Sequence, residues 1–262
     1  MNIHFLIQIV ATIIVAFVGY RLRSLTLSGM VGTILVGLAV SFGFGYKGLG
    51  LLGLFFMTSS MWSKFKPSTK ANVQNKVQKG DQRDIIQVLA NGGIPAISSI
   101  LFGLYPSDIW TYIFISAIAS ANADTWASEI GPLSKNKPIL ITKLSRVDAG
   151  TSGAVSLLGT FAALGGSLLI SIAAFILWPI VTVQVMVGLT IIGFIGNFID
   201  TILGAMVQVN YVCTVCNLET EKTTHCGRNT KYHQGIMFCN NDFINFASIL
   251  LASICGGLLL YY

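Results

Sequence analysis

Residues 26–62 read TLSGMVGTILVGLAVSFGFGYKGLGLLGLFFMTSSMW and contain a single charged residue, Lys47. About 20 apolar residues in a helix cross the ~30 Å hydrocarbon core of a bilayer, so this stretch is long enough for two crossings, at 26–45 and 48–62. The same composition runs through the chain of 262 residues, of which 53% are hydrophobic and 10% charged. This composition indicates a polytopic membrane protein and excludes a soluble domain.

Further apolar windows on both sides of this stretch predict an all-α transmembrane bundle of about eight spans, forming a single integral membrane domain over residues 1–262. The predicted spans are residues 3–19, 26–45, 48–62, 85–104, 109–129, 152–177, 180–206 and 243–260. No basic segment precedes the first window and the second follows at once, so we interpret the first as a retained helix and not as a signal peptide.

The distribution of charge supports this topology. With both termini outside, the long inner loops fall at about 63–84, 130–151 and 207–242, and Lys47 alone of the 16 Lys and Arg residues lies outside. This asymmetry is the positive-inside pattern, and it accounts for the net charge of +6 without a nucleic-acid partner. We therefore expect an integral protein of a bacterial cell membrane whose polar loops face the cytosol.

Acidic residues are rare in this chain, and Asp124 and Asp200 are unusual among them because apolar residues on predicted spans flank both. An unpaired carboxylate in such a place is costly, and it normally faces a bundle interior or a water-filled cavity with a function. For loop acids such as Asp84, Glu219 and Glu221, ordinary loop polarity is an equal alternative. Asp124 and Asp200 are therefore the leading candidates for chemistry.

A third helix adds acids and amides on the same side of the membrane. The segment CNNDFINFAS places Asp242 at the inner start of the last span, where Asp242 or Asn241 could equally be the helix N-cap. Carboxylate and amide oxygens suit Mg²⁺, which usually binds one or two carboxylates together with substrate phosphates. We predict catalytic roles for Asp124, Glu129, Asp200 and Asp242. Mg²⁺ would be bound by Asp124, Asp200 and Asp242, with Glu129 in a supporting or metal-binding role.

Two inner segments bring basic and amide groups beside these acids. KGDQRDIIQVLANGGIPA (79–96) has a charged cluster before a helix, whose glycines could instead serve close helix packing. ITKLSRVDAGTSGAVS (141–156) has basic residues before a predicted helix start that would favour an anion, the alternative being an ordinary capped helix. The predicted substrate- and phosphate-binding residues are Lys79, Asp81, Gln82, Arg83, Asn91, Asn122, Lys143, Arg146, Thr151, Asn241 and Asn245.

The cysteines of the last inner loop form a separate pattern. Cys213 and Cys216 make a C-x-x-C pair, and His225 and Cys226 follow eight residues later. The spacing permits a Cys₃His zinc site, although a second C-x-x-C is missing and free thiols packed in a loop are the alternative. A disulfide is disfavoured in a reducing cytosol.

Several blocks of the sequence resemble a known family. They are KGDQRDIIQVLANGG (79–93), ANADTWASEIGPLSKNKPILIT (121–142), GTSGAVSLLGTFAALGG (150–166), GFIGNFIDTILGAMVQ (193–208) and NNDFINFAS (240–248). In this order they resemble the recurring blocks of an integral membrane family that includes the plant phytyl-phosphate kinase of tocopherol synthesis. Most members of that family have no assigned activity.

The resemblance implies a membrane-embedded kinase that transfers a phosphoryl group from CTP or ATP to a prenyl or polyprenyl monophosphate. Such an enzyme would hold a lipid tail in the membrane, a nucleotide in the cytosol and Mg²⁺ between them. The alternative is a transporter or flippase of polyprenyl phosphate or a small anion, with the same acids as proton relays. The sequence leaves the prenyl chain length, the nucleotide and the oligomeric state open.

Overall fold

The computed structural model describes residues 3–80 and 82–261, and it is dominated by long helices. The helices are α1 (Ile3–Arg21), α2 (Leu27–Lys64), α3 (Pro67–Lys76), α4 (Ile85–Leu104), α5 (Asp108–Ile130), α6 (Leu157–Leu177), α7 (Val183–Met206) and α8 (Asn241–Tyr261). Within the described residues, six of these are long and apolar enough to cross a membrane, namely α1, α2, α4, α6, α7 and α8. The predicted all-α membrane fold is therefore confirmed.

Helix α2 folds back on itself at Gly45 and supplies two crossings. A straight helix of its 38 residues would be about 57 Å long, nearly twice the bilayer core. Gly45 has φ 56° and ψ −138°, which only glycine adopts easily, and it separates a first arm (27–44) from a second arm (46–64). Tyr46 Oη donates to His4 O at 3.1 Å, and Lys64 Nζ donates to Leu22 O at 2.6 Å. The second arm therefore runs alongside α1, and counting both arms and α5 gives about eight spans.

Helix α5 is the centre of the bundle, because it packs against α2, α4, α6, α7 and α8. Every residue from 114 to 123 is buried, and most of them are Ala or Ser. Small side chains let neighbouring helices approach closely in a membrane, where packing replaces the hydrophobic effect as the driving force. The end of α5, which carries Asp124 and Glu129, is therefore enclosed by the ends of several other helices.

The long connections 65–84, 131–156 and 207–240 lie at one end of the bundle, which we call the loop face. They contain short antiparallel strands: β1 (Ile139–Leu140) between β2 (Ser145–Arg146) and β3 (Ala154–Val155), β4 (Asn210–Val212) between β5 (Glu219–Thr220) and β8 (Lys231–Gln234), and the hairpin of β6 (Thr224–His225) with β7 (Arg228–Asn229). In the register of the second sheet, Val212 is opposite both Glu219 and Lys231. These strands order connections that the sequence predicted only as loops.

The start of α6 differs from its prediction. The helix begins at Leu157, and its N-cap Ser156 accepts a hydrogen bond from Gly159 N at 3.1 Å. Gly150 and Gly153 have φ of 81° and 77°, which belong to tight turns and not to a right-handed helix. Residues 150–155 therefore form a turn and β3, and the prediction of a helix start at residue 152 is wrong.

Candidate functional site

A polar cavity of about 260 Å³ opens at the loop face, between α3 and the ends of the second arm of α2, α4, α5, α7 and α8. We call it the polar cavity. The predicted site residues that line it are Lys79, Arg83, Asn91, Asp124, Glu129, Asp200, Asn241, Asp242 and Asn245. The structure thus brings together most of the residues that the sequence singled out on four separate helices and the segment before α4.

Asp124 and Asp200 face the polar cavity from α5 and α7, and both are half-buried. Ser248 Oγ donates to Asp200 Oδ2 at 3.1 Å, and the Asn245 amide, oriented by its hydrogen-bonding neighbours, donates to the same oxygen at 3.0 Å. Among the described residues, no Lys, Arg or His nitrogen lies within 4.0 Å of either carboxylate. Two carboxylates that share a cavity without a basic partner form an arrangement that favours a bound cation.

Asp242 has a different environment, because a lysine neutralises it. Lys79 Nζ lies 2.5 Å from Asp242 Oδ2 and 2.8 Å from Asp84 Oδ2. Burial lowers the pKa of Lys79, but the hydrogen bonds and charges of the two carboxylates outweigh it and raise this pKa, so the ammonium stays charged. The N-cap of α8 is Asn240, whose Oδ1 accepts from Phe243 N at 3.0 Å. Asp242 therefore binds Lys79 and is not the helix cap.

Glu129 is also paired, with a lysine that the sequence did not single out. Lys70 Nζ lies 2.6 Å from Glu129 Oε2, and Ser63 Oγ donates to Glu129 Oε1 at 2.7 Å. Lys70 is buried and also donates to Trp62 O at 2.6 Å. This pair fastens α3 to the end of α5, so Glu129 builds a wall of the cavity.

Arg83 is held in place through its backbone. Arg83 N donates to Ser24 O and Thr26 N donates to Arg83 O, both at 3.0 Å, so the segment before α4 is bound to the start of α2. A Cβ atom on Gly29 would lie 2.0 Å from Arg83 O, which makes glycine necessary for this approach. The guanidinium donates to Ser60 Oγ at 3.3 Å and to Ser63 Oγ at 3.4 Å.

An apolar cavity of about 340 Å³ adjoins the polar cavity. It lies between α1, both arms of α2 and the first turns of α4, and we call it the apolar cavity. Arg83, Gln87 and Asn91 line both cavities and form the junction between them. No pattern in the sequence indicated this space, because its walls are ordinary membrane-helix residues.

A third space of about 190 Å³, which we call the turn cavity, lies beside the polar cavity and shares Asp124, Asp200 and Glu221 with it. The turn 150–153 lines it, and Lys76 Nζ donates to Thr151 Oγ1 at 3.3 Å. Glu221 accepts from Gln208 Nε2 at 2.7 Å, and burial raises the pKa of its carboxyl group. The sequence had left Glu221 open as an ordinary loop acid.

Four predicted phosphate-binding residues do not line any of these three cavities. Asn122 is fully buried, donates to Gly166 O at 2.8 Å and thus joins α5 to α6. Gln82, Lys143 and Arg146 are exposed to solvent at the loop face, and none of the three lines the polar or the turn cavity. Asp81 lies outside the described residues.

The four predicted zinc ligands do come together. One ligand atom from each of Cys213, Cys216, His225 and Cys226 lies within 4.8 Å of the others. This cluster is on the 207–240 connection, apart from the residues that line the polar cavity.

The fold and the acid-lined cavity define a polytopic membrane protein with a polar site at one end of its bundle. The chain belongs to the integral membrane protein DUF92 family, which it matches over residues 10–253, and this membership confirms the resemblance seen in the sequence blocks. It is 32% identical to Protein PGR of Arabidopsis thaliana over 270 residues, covering 94% of this chain and 92% of the relative. It is 31% identical to the uncharacterized membrane protein MJ0933 of Methanocaldococcus jannaschii over 262 residues, covering 98% and 93%.

A further relative is the chloroplastic protein VTE6 of Arabidopsis thaliana, which is 27% identical over 240 residues, covering 90% of this chain and 65% of the relative. No solved structure matches the chain.

Proposed function

We propose that this protein is a membrane-embedded, Mg²⁺-dependent kinase that transfers a phosphoryl group from CTP or ATP to a prenyl or polyprenyl monophosphate, giving the diphosphate. The observation that carries the proposal is the junction of an acid-lined polar cavity with an apolar cavity at Arg83, Gln87 and Asn91. Family membership supports it, because the sequence blocks are those of a family that includes the plant phytyl-phosphate kinase.

The two adjoining cavities match the two parts of an isoprenoid phosphate. The hydrocarbon tail would occupy the apolar cavity, where each buried CH₂ group contributes about 0.8 kcal/mol. The phosphate would lie at the junction, where Arg83 supplies a charged donor and Gln87 and Asn91 supply amides. A lipid substrate could then present its phosphate at the loop face without leaving the membrane.

Asp124 and Asp200 are the residues that would hold Mg²⁺. The donor set fits this ion, because two carboxylates with no basic partner among the described residues face a cavity large enough to admit phosphates. When bound there, Mg²⁺ would neutralise negative charge on the phosphoryl oxygens. Ser248 and Asn245 hold the Asp200 carboxylate in place through hydrogen bonds.

The basic residues would balance the charge of the reacting groups. Lys79 and Arg83 line the polar cavity, and the turn cavity next to it would take part of the nucleotide. An oxygen of the prenyl monophosphate would form a bond to the γ-phosphorus while the bond from that phosphorus to the β-phosphate oxygen breaks. The products are the prenyl diphosphate and a nucleoside diphosphate, and the chain contributes mainly positioning and electrostatic stabilisation.

The proposed kinase activity requires one orientation of the protein in the membrane. The positive-inside rule supports a loop face in the cytosol, where nucleoside triphosphates are available, and both termini on the other side of a bacterial cell membrane.

The test is a transfer assay with purified protein in detergent. Protein is incubated with Mg²⁺, γ-labelled CTP or ATP, and prenyl monophosphates of several chain lengths. We expect label to appear in a prenyl diphosphate with the wild type and with Asp148→Asn, and to be lost with Asp124→Asn. Asp148 is the matched control, because its side chain is 68% exposed and forms an ion pair with the exposed Lys137.

Two results would overturn the proposal. One is full activity of Asp124→Asn in a protein that is correctly inserted. The other is a folded wild type that transfers no label to any member of the panel but moves polyprenyl phosphate between the leaflets of vesicles, which would establish the transporter instead.

A further inference from the structure

Two tight turns of the 207–240 connection bring four metal-binding side chains together. Cys213 and Cys216 lie on the turn between β4 and β5, and His225 and Cys226 lie at the turn of the β6–β7 hairpin. Cys226 Sγ is 3.8 Å from Cys216 Sγ and 3.2 Å from His225 Nδ1, and His225 Nδ1 is 3.5 Å from Cys216 Sγ. A ligand atom of Cys213 also lies within 4.8 Å of those of the other three residues.

These separations fit tetrahedral zinc coordination. With Zn–S bonds of about 2.3 Å, two sulfurs at a tetrahedral angle lie about 3.8 Å apart, and a sulfur and a nitrogen lie slightly closer. Val215 N donates to Cys213 Sγ at 3.4 Å, so a backbone N–H already supports one of the sulfurs. Cys226 and Gly227 have φ of 51° and 72°, and this left-handed turn directs His225 and Cys226 toward the C-x-x-C pair.

Few side chains of the surrounding 207–240 connection are buried. Its strands are only two to four residues long, and most of its side chains are half-buried or exposed. A small unit without a sizeable apolar core usually needs a metal or a disulfide for its stability. Cys216 and Cys226 are exposed, so packing of free thiols does not account for their convergence.

We propose that Cys213, Cys216, His225 and Cys226 bind one structural Zn²⁺. Four protein ligands complete the tetrahedron and leave no position for substrate, which is the arrangement of structural and not of catalytic zinc. The proposal is independent of the proposed kinase activity, because it rests on the geometry of the cluster alone.

The zinc site would hold the 207–240 connection against the polar cavity. Thr220 Oγ1 donates to Lys76 O at 2.6 Å, and Glu221 N donates to the same oxygen at 2.8 Å. Glu221 Oε2 in turn accepts from Gln78 N at 3.2 Å, so this segment covers the cavity from the side of α3. Loss of the metal should therefore loosen the cover that Glu221 contributes to the cavity.

The experiment measures zinc in the full-length protein, purified in detergent without added metal or chelator. We expect about one zinc ion per chain in the wild type and in Cys239→Ser, and loss of zinc in Cys216→Ser and Cys226→Ser. Cys239 is the matched control, since it is a buried cysteine of the same connection that lies outside the cluster.

A second measurement keeps the proposal testable if the serine variants do not fold. The wild type is stripped with a chelator and refilled with Co²⁺, and we expect the visible absorption of tetrahedral cobalt–thiolate coordination together with slower proteolysis of the 207–240 connection. A folded wild type that contains no more zinc than Cys216→Ser and takes up no cobalt would overturn the proposal. A Cys216–Cys226 disulfide in freshly purified, metal-free wild type would overturn it as well.

Discussion

Lys70 Nζ lies 2.6 Å from Glu129 Oε2, and this ion pair joins α3 to the end of α5 at the wall of the polar cavity. The side chain of Lys70 is only 6% exposed, whereas that of Glu129 is 23% exposed. Removal of one partner of a buried pair leaves the other charge poorly compensated, whereas removal of both partners is often tolerated.

We therefore expect Lys70→Met and Glu129→Gln each to destabilise the protein by about 3 kcal/mol, and the double variant to recover much of that loss. Thermal unfolding in detergent measures the stability, and the transfer assay measures the activity. If Glu129 acts by positioning α3, activity recovers together with stability. A double variant that is stable but as inactive as Glu129→Gln would show instead that Glu129 contacts the reacting groups.

The Lys79–Asp242 pair should matter more than an exposed pair of similar geometry. Lys79 contacts two carboxylates, and Asp242 is 7% exposed, whereas Lys137 and Asp148 are 66% and 68% exposed at a separation of 2.8 Å. We expect Lys79→Met to destabilise the protein by about 1 to 3 kcal/mol and Lys137→Met by less than about 1 kcal/mol. Equal melting temperatures for the two variants would contradict the role given to the Lys79 pair.

The charge of Asp84 should contribute stability that depends on pH. Burial raises the pKa of Asp84, but hydrogen bonds from Lys79 and from the Gln87 backbone outweigh it and hold the pKa below the ordinary value of 3.8. For an acid with a lowered pKa, this stability is present above the ordinary value and is lost as the pH falls through the lowered one. Asn is also a good N-cap, so Asp84→Asn removes the charge and keeps the cap.

We therefore expect Asp84→Asn to melt below the wild type near neutral pH, and the difference to close in acid. Melting curves in detergent from about pH 6 to about pH 3 measure it, with Asp148→Asn as an exposed control. A difference that stays constant over this range would indicate lost packing and not lost charge.

The apolar cavity should set the length of the prenyl chain that the protein accepts. Gly53 lines this cavity, and a Cβ atom added there would meet no other atom within 4 Å. The Cβ of Gly53→Leu would therefore meet no clash, and we expect this variant to raise the KM for long-chain prenyl monophosphates at least tenfold, roughly the effect of one misfitted methylene. The KM for the shortest substrates should change little.

Gly53→Ala is the matched control, because it adds a single methyl group at the same position. KM values measured across the chain-length series would show the effect. A uniform change for all chain lengths would mean that the tail binds elsewhere.

Much of the fold follows from the sequence, because a bilayer accepts few backbone arrangements. Apolar windows must be helices when no water is available for the backbone, so the spans were predictable to within a few residues. The two spans predicted at 26–45 and 48–62 are the two arms of α2. They are joined at the single non-helical residue Gly45 and not by a loop. The predicted start of α6 was wrong because Gly150 and Gly153 form a turn, and the hydrophobic pattern of a sequence does not reveal such a turn.

Residues of the candidate site were predictable where burying their side chain in a membrane span costs free energy. An acid such as Asp124 or Asp200 on an apolar span has to be explained from the sequence alone, and the structure places both at the polar cavity. Lys70 was missed and Glu221 was left open because charged residues in loops are ordinary, and only their tertiary contacts bring them to the cavity. Asn122 was selected because it is a polar residue on a span, but such a side chain can also form a hydrogen bond to the backbone of a neighbouring helix, as Asn122 does with Gly166 O.

The Lys79–Asp242 contact has a consequence for biosynthesis, because 163 residues separate its partners along the chain. At about 5 to 20 residues per second, Asp242 leaves the ribosome roughly 8 to 33 s after Lys79. During this interval the nascent chain has Asp84 as the nearby counterion for Lys79, and the cavity lacks the wall that α8 supplies. A chain that terminates before α8 would therefore lack both the Asp242 counterion of Lys79 and this wall of the cavity.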